Sequence, residues 1–247
     1  MVKSAGSAIG EAIGHVVEEN ARRIIEDESD KHGFVAVRRT LKNLTGSQHR
    51  IDIVVEDQDN NPIILVEPKY LRYTKHNWDK ASRLVAGHYN LRKTFKTIRK
   101  SIAVLAGNWT TTSVAFLTGF GVEIFPIQFK IIVNTLKDYG VPFEWAEADK
   151  ETPDIAWERF NTLTQENLMT IGEKIIVSIE DNLRDSIKTT LTLGPDVPRE
   201  LEEVEILIKS QHGEFYLSSF TSVVEAIQYL LQFQTEVPDI RTIFKDR

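Results

Sequence analysis

The 247-residue chain contains no cysteine. That excludes disulfides, thiolate nucleophiles and Cys-based zinc sites, and it fits a reducing compartment. Its six histidines show no HxxxH-type spacing, so a His-rich metal site is not expected. No run approaches the roughly 20 apolar residues that span a bilayer. Glycines and Glu11 interrupt the first segment before an apolar signal core develops. A cytoplasmic protein without a membrane partner is expected. Walker, GxGxxG and GxSxG patterns are also missing, which removes the usual signals of phosphate-loop, dinucleotide and serine-esterase chemistry.

What is present suffices for a sizeable core: 41% hydrophobic and 27% charged residues need no covalent staple. The net charge of −6 argues against a nucleic-acid partner only as an average. Residues 1–140 hold 20 Lys and Arg against 15 Asp and Glu, whereas residues 141–247 hold 10 against 21. Such asymmetry is expected when one half faces a polyanion.

From Ala8 to Ile25, apolar residues recur every three to four positions and predict an amphipathic helix. Gly6, Gly10 and Gly14 lie along one side of it, where another backbone is expected to approach closely. Strands are expected at 34–41, 50–56 and 63–69, and a basic helix over 77–100. A strand at 101–106, a helix at 111–118, a strand at 122–126 and a helix at 129–139 follow. This order predicts a mixed sheet with helices on its faces. Thr110 and its hydroxylic neighbours mark a helix start, with capping as the expected role. Beyond 141 the chain turns acidic and helical. The stripe Leu168, Ile171, Ile175, Ile179, Leu183 and Ile187 is expected to pack on the core, with a dimer seam as the sharper alternative. Residues 194–198 read as a linker, followed by a hairpin around His212 and Gly213 and a helix at 222–233.

The informative stretch is RIDIVVEDQDNNPIILVEPK, Arg50 to Lys69. Side chains alternate faces along a strand, so Glu67 and Lys69 share one. If the DQDNNP turn pairs Glu56 with Ile63, Asp52 lies directly opposite Glu67. Two facing carboxylates repel unless a cation sits between them, and Mg²⁺ is the natural occupant, with Mn²⁺ as substitute. An adjacent lysine would act on a metal-side water or on phosphate charge. Solvated cross-strand pairs are the plainer interpretation, but IDIVV and IILVE are too apolar for an exposed ribbon. Pro68, lacking an N–H, suits an edge strand or a bulge. From Lys69 to Lys100 there are ten Lys and Arg and one acid, Asp79, interleaved with Tyr70, Tyr73, His76, Trp78, His88 and Tyr89. That composition fits phosphate tracking.

An acidic residue opening a strand, a short turn and ExK on the next strand, between a Glu-bearing helix and a basic one, resembles the PD-(D/E)XK nucleases. The resemblance covers about residues 8–126. It implies an α/β, restriction-endonuclease-like mixed central sheet flanked by helices at 1–140. An acidic α+β C-terminal region at 141–247 would then serve dimerisation or target recognition. It further implies Asp52, Glu67 and the Pro68 carbonyl as metal ligands and Lys69 as the catalytic lysine. Glu18 completes the site, because Gly14-His15-Val16-Val17-Glu18 resembles the family's GxxxE pattern; Glu11 and then Glu19 are the alternatives. Arg72, Lys75, His76, Lys80, Arg83, Arg92, Lys93 and Lys96 are the expected DNA contacts. The implied activity is Mg²⁺-dependent DNA hydrolysis of the type II restriction kind, with a homodimer as a possible assembly. A repair nuclease such as a Holliday-junction resolvase and a non-catalytic nucleic-acid-binding protein on the same fold are the alternatives.

Overall fold

The computed structural model describes residues 4–146, 148–193 and 201–232. They belong to two compact units, Met1–Leu193 and Gly194–Arg247. The first opens with α1 (Ala5–Asp30), whose start is capped by Ser4 accepting from the Ser7 amide. Ile9, Ile13, Val17, Ala21 and Ile24 form its buried stripe, as the helical period requires. The helix runs past Ile25 because its last turn is tied down. Buried Glu28 there meets Lys31, His32 and Arg184.

Five strands follow: β1 (Val35–Lys42), β2 (Gln48–Glu56), β3 (Pro62–Leu71), β4 (Lys100–Gly107) and β5 (Val122–Gln128), adjacent in chain order. The first three are antiparallel, and β3, β4 and β5 are parallel. Parallel neighbours need a crossover, which α2 (Asn77–Thr94) and α3 (Thr111–Gly119) supply. The result is a five-stranded mixed sheet flanked by helices. Helix α2 stops at Thr94, short of the expected 100. The Thr97 hydroxyl donates to the Pro62 carbonyl and the Arg99 amide to that of Ile63, so this segment already lies along β3.

Even-numbered residues of β3, Ile64 and Val66, face the core built with α1. Leu65 faces the opposite side, with Val54 and Leu91 of α2. Helices α4 (Phe129–Asp138), α5 (Glu151–Asn161) and α6 (Gln165–Thr192) complete the α1 side. The compact unit therefore extends to Leu193, well past the change in composition at 141. Helix α5 was not expected, since over three turns it buries only Pro153, Ala156 and Phe160. The α6 stripe, Ile171 through Ile187, is buried within this unit, so it offers no dimer seam. At its contact with α1, a Cβ on Gly172 would stand 1.8 Å from the Asn20 side-chain nitrogen, so any larger residue there would displace Asn20.

In the second unit, β6 (Val204–Lys209) and β7 (Phe215–Phe220) form the expected hairpin and α7 (Val223–Leu231) follows. Gly213 supplies the positive φ of the turn, +86°. The linker expected at 194–198 lies outside the described residues.

Candidate active site

The site begins with an irregularity in β2. Val37 pairs with Val54 and Arg39 with Ile51, so Asp52 and Ile53 stand together opposite the single Arg38. This is a bulge, which bends the strand and re-aims a side chain. Arg22 of α1 donates to the Asp52 main-chain carbonyl at 2.8 Å and holds the bulge. On the other edge Ile53 pairs with Val66, the register that sets Asp52 beside Glu67. The hairpin closes differently from expectation, with Glu56 opposite Pro62 and the irregularity confined to that end.

Lys69 Nζ lies 2.6 Å from Asp52 Oδ2 and 2.5 Å from Glu67 Oε2. The three expected residues therefore converge, partly shielded, with side-chain exposures of 24%, 19% and 11% for Lys69, Asp52 and Glu67. Burial pushes the Glu67 carboxyl up, but His88 and Lys69 outweigh it and hold the group below its ordinary value. For Lys69 burial works downward, and the Glu67 and Asp52 carboxylates outweigh it, so its ammonium is held above the usual lysine value. The metal-free cluster is thus two carboxylates around one ammonium.

Sequence reasoning missed the role of His88. Its ring is fully buried, with Nε2 3.6 Å from Glu67 Oε1, longer than a hydrogen bond, and neither ring nitrogen has a hydrogen-bond partner. The signal was present: Ala81, Leu84, Val85, His88 and Leu91 recur at helical spacing and all are buried.

Pro68 lies in the central strand, not at the edge its missing N–H suggested. Within β3, the Ile63 and Leu71 carbonyls accept from Arg99 and Asn108 on the β4 side. Alternation then turns Pro68 toward β2, where the observed pairing ends at Val66. The missing donor costs no ladder bond there, and the Pro68 carbonyl faces the Asp52 side.

The donor set fits a hard divalent cation. Asp52, Glu67 and the Pro68 carbonyl offer oxygens only, and Mg²⁺ needs one or two carboxylates, the rest being water and phosphate. Among the described residues no group of three or more acidic or histidine side chains could hold a metal. Glu18 is not part of the cluster: its carboxylate pairs with Arg22 and Arg38 and reaches Asp52 only through Arg22. Glu19 is exposed, 3.8 Å from Arg22. Glu11 borders a separate pocket at the start of α1.

The basic residues divide. Arg72 donates to the Phe143 carbonyl at 2.7 Å and packs 3.5 Å from the Trp145 ring centroid, so it braces the fold. Arg92 donates to the Phe120 and Gly121 carbonyls beyond α3, also a structural role. Lys75, His76, Lys80, Arg83, Lys93 and Lys96 are exposed. Arg83 pairs with Asp79, and Lys93 lies over the Tyr89 ring. Thr110 caps α3 by accepting from the Ser113 amide, as expected. Gly10 and Gly14 face the Tyr70 side chain, and Gly6 faces Trp145 and Pro153; no foreign backbone approaches them.

No family model matches the chain, and no curated protein matches it. A solved structure described as a protein of unknown function, AF1548, aligns over 71% of this chain and 98% of its own. Identity there is 13% and the TM-score 0.34.

Proposed function

We propose that this chain is a metal-dependent nuclease of the PD-(D/E)XK, restriction-endonuclease-like kind, which hydrolyses DNA phosphodiester bonds. The observation that carries the reading is the convergence of Asp52 and Glu67 on Lys69 beside a bulge that α1 holds in place. The element order supports it too, with one helix, three antiparallel strands, a basic helix and a parallel strand around the site.

In this reading Asp52, Glu67 and the Pro68 carbonyl would hold Mg²⁺ or Mn²⁺. When bound, the ion polarises the phosphate and lowers the pKa of a coordinated water. With a cation held there, Lys69 would be free of the two carboxylates, and its ammonium would face the phosphate or the attacking water. His88 and Lys69 keep Glu67 anionic, so the site is charged for metal at neutral pH. The exposed Lys75, Lys80, Lys93 and Lys96 offer the cations that track a phosphate backbone.

Supercoiled plasmid, linear duplex and four-way branched DNA, each incubated with Mg²⁺, Mn²⁺ or EDTA, test the proposal. Metal-dependent cleavage of any of them is the expected result. A discrete fragment pattern indicates the restriction type, and preference for the branch indicates the resolvase type. Binding without cleavage under every metal condition would leave a nucleic-acid-binding protein and remove the nuclease.

A further inference from the structure

Beyond Lys69 the chain of β3 runs into a cavity of about 960 Å³ that Lys75 and Lys80 of the proposed phosphate track border. It lies outside the carboxyl end of β3, where open parallel sheets place their ligands. Its volume falls in the range of small-molecule sites. Tyr70, Tyr73 and Trp145 give it aromatic walls. The Arg72 guanidinium packed on Trp145 fixes the indole there. Gly6 and Gly10 keep the α1 wall low: a Cβ on Gly6 would stand 3.8 Å from the Trp145 ring.

Charge is arranged by element around this cavity. Lys75, His76 and Lys80 come from the turn before α2 and its first turn, and Asp149 and Asp154 from the start of α5; Lys150 and Glu11 also border it. The Asp149 carboxylate is engaged in capping, accepting from the Glu151 and Thr152 amides and the Thr152 hydroxyl. Asp154 is exposed. Tyr70 and Arg72, which border the cavity, each bury one polar atom, the hydroxyl and Nε, without a hydrogen-bond partner. Buried polar atoms ordinarily find partners.

We infer that this cavity takes a single nucleotide, with its phosphate against Lys75, His76 and Lys80 and its base along the aromatic wall. An aromatic face accepts any base by stacking, while a carboxylate such as Asp154 accepts from an exocyclic amine. The nucleotide can come free or as one unit of a single strand. The inference needs neither metal nor cleavage.

Calorimetric titration of the full chain in EDTA tests it, with AMP, CMP, inorganic phosphate and a short single-stranded DNA as separate ligands. Saturable binding of a mononucleotide or of the strand is expected, with inorganic phosphate markedly weaker. Binding of the mononucleotides identifies a free nucleotide as sufficient; binding of the strand alone identifies a unit within a chain. Lys80→Glu should weaken whichever binds by about tenfold or more, the worth of one charge-assisted contact. Lys188→Glu, at an exposed position on α6, should leave it unchanged. Phosphate binding as tightly as nucleotide, no saturable binding, or equal loss in both variants would overturn the inference. A chain that cleaves DNA yet fails this titration keeps its nuclease site and loses the pocket. One that binds nucleotide and cleaves nothing does the reverse.

Discussion

Arg22 of α1 reaches through thirty positions of sequence to donate to the Asp52 carbonyl at 2.8 Å, while it also pairs with Glu18 and Glu19 of its own helix. The residue that aims the first carboxylate is therefore held from the helix on the other side of the sheet. Arg38, the one residue opposite the bulge, pairs with the same glutamate. Glu18, the glutamate of the GxxxE pattern, thus pairs with the arginine that holds the bulge.

Arg22→Ala should leave the Asp52 carbonyl without its donor and Glu18 with Arg38 alone, at a cost of about 1–3 kcal/mol. Chemical denaturation should show that loss, and single-turnover cleavage should fall more than stability does, because the bulge loosens first. Arg22→Lys should rescue part of the stability and little of the rate, since one ammonium cannot serve both partners in the planar geometry of a guanidinium. Equal rates in wild type and Arg22→Ala would show that the bulge aims Asp52 without help.

Lys69→Ala removes the cation that bridges Asp52 and Glu67. Two apposed, partly buried carboxylates then repel each other, and a destabilisation on the order of 2 kcal/mol is expected in EDTA. Added Mg²⁺ should restore much of it by taking the ammonium's place, as any ligand of the folded state does. Cleavage in Mg²⁺ should still fall by orders of magnitude. Asp52→Asn and Glu67→Gln should instead weaken Mg²⁺ binding in calorimetry. Unaltered affinity in both would reduce the cluster to an ordinary ion network.

The register that sets Asp52 beside Glu67, the converging triad and the alternation of helices and strands were legible because they rest on local patterns: period two in β2 and β3, period 3.6 in α1. The bulge at Asp52 was not, since it depends on how β1 pairs across the sheet. The engagement of Arg72 and Arg92 escaped for a similar reason. Their partners, the carbonyls of Phe143 and Phe120, are distant in sequence and carry no side-chain signature. Helix α5 was hidden by its thin apolar stripe.

Stability should depend on pH at both limbs through the same cluster. Glu67 has a folded-state value below the ordinary 4.5. Its contribution is fully present above 4.5 and is lost as pH falls through the folded value. Lys69 is raised above 10.5. Its contribution is present below 10.5 and is lost as pH rises through the folded value. The melting temperature of the metal-free protein should therefore decline on the acid side of 4.5 and the alkaline side of 10.5. Glu67→Gln should flatten the first decline and weaken the second. A melting profile that is the same in Glu67→Gln and wild type would show that the cluster is uncoupled from folding.

The basic segment gives a last prediction, sharpened by which of its cations the fold already uses. Each phosphate a protein neutralises releases condensed counterion, so log K falls with log salt by about 0.9 per contact. Lys93 and Lys96 are exposed on or just beyond α2. Charge reversal at both should flatten the salt slope by about one unit each and weaken unrelated DNA sequences alike. Arg92→Glu differs, because Arg92 binds the carbonyls of Phe120 and Gly121. It should lower the melting temperature by placing a carboxylate against those carbonyls, whatever it does to DNA. Lys174 sits 3.8 Å from Asp138, and its reversal should leave the slope in place. If reversal at Lys174 flattens the slope and reversal at Lys93 and Lys96 does not, the DNA face lies on the α4 and α6 side of the sheet.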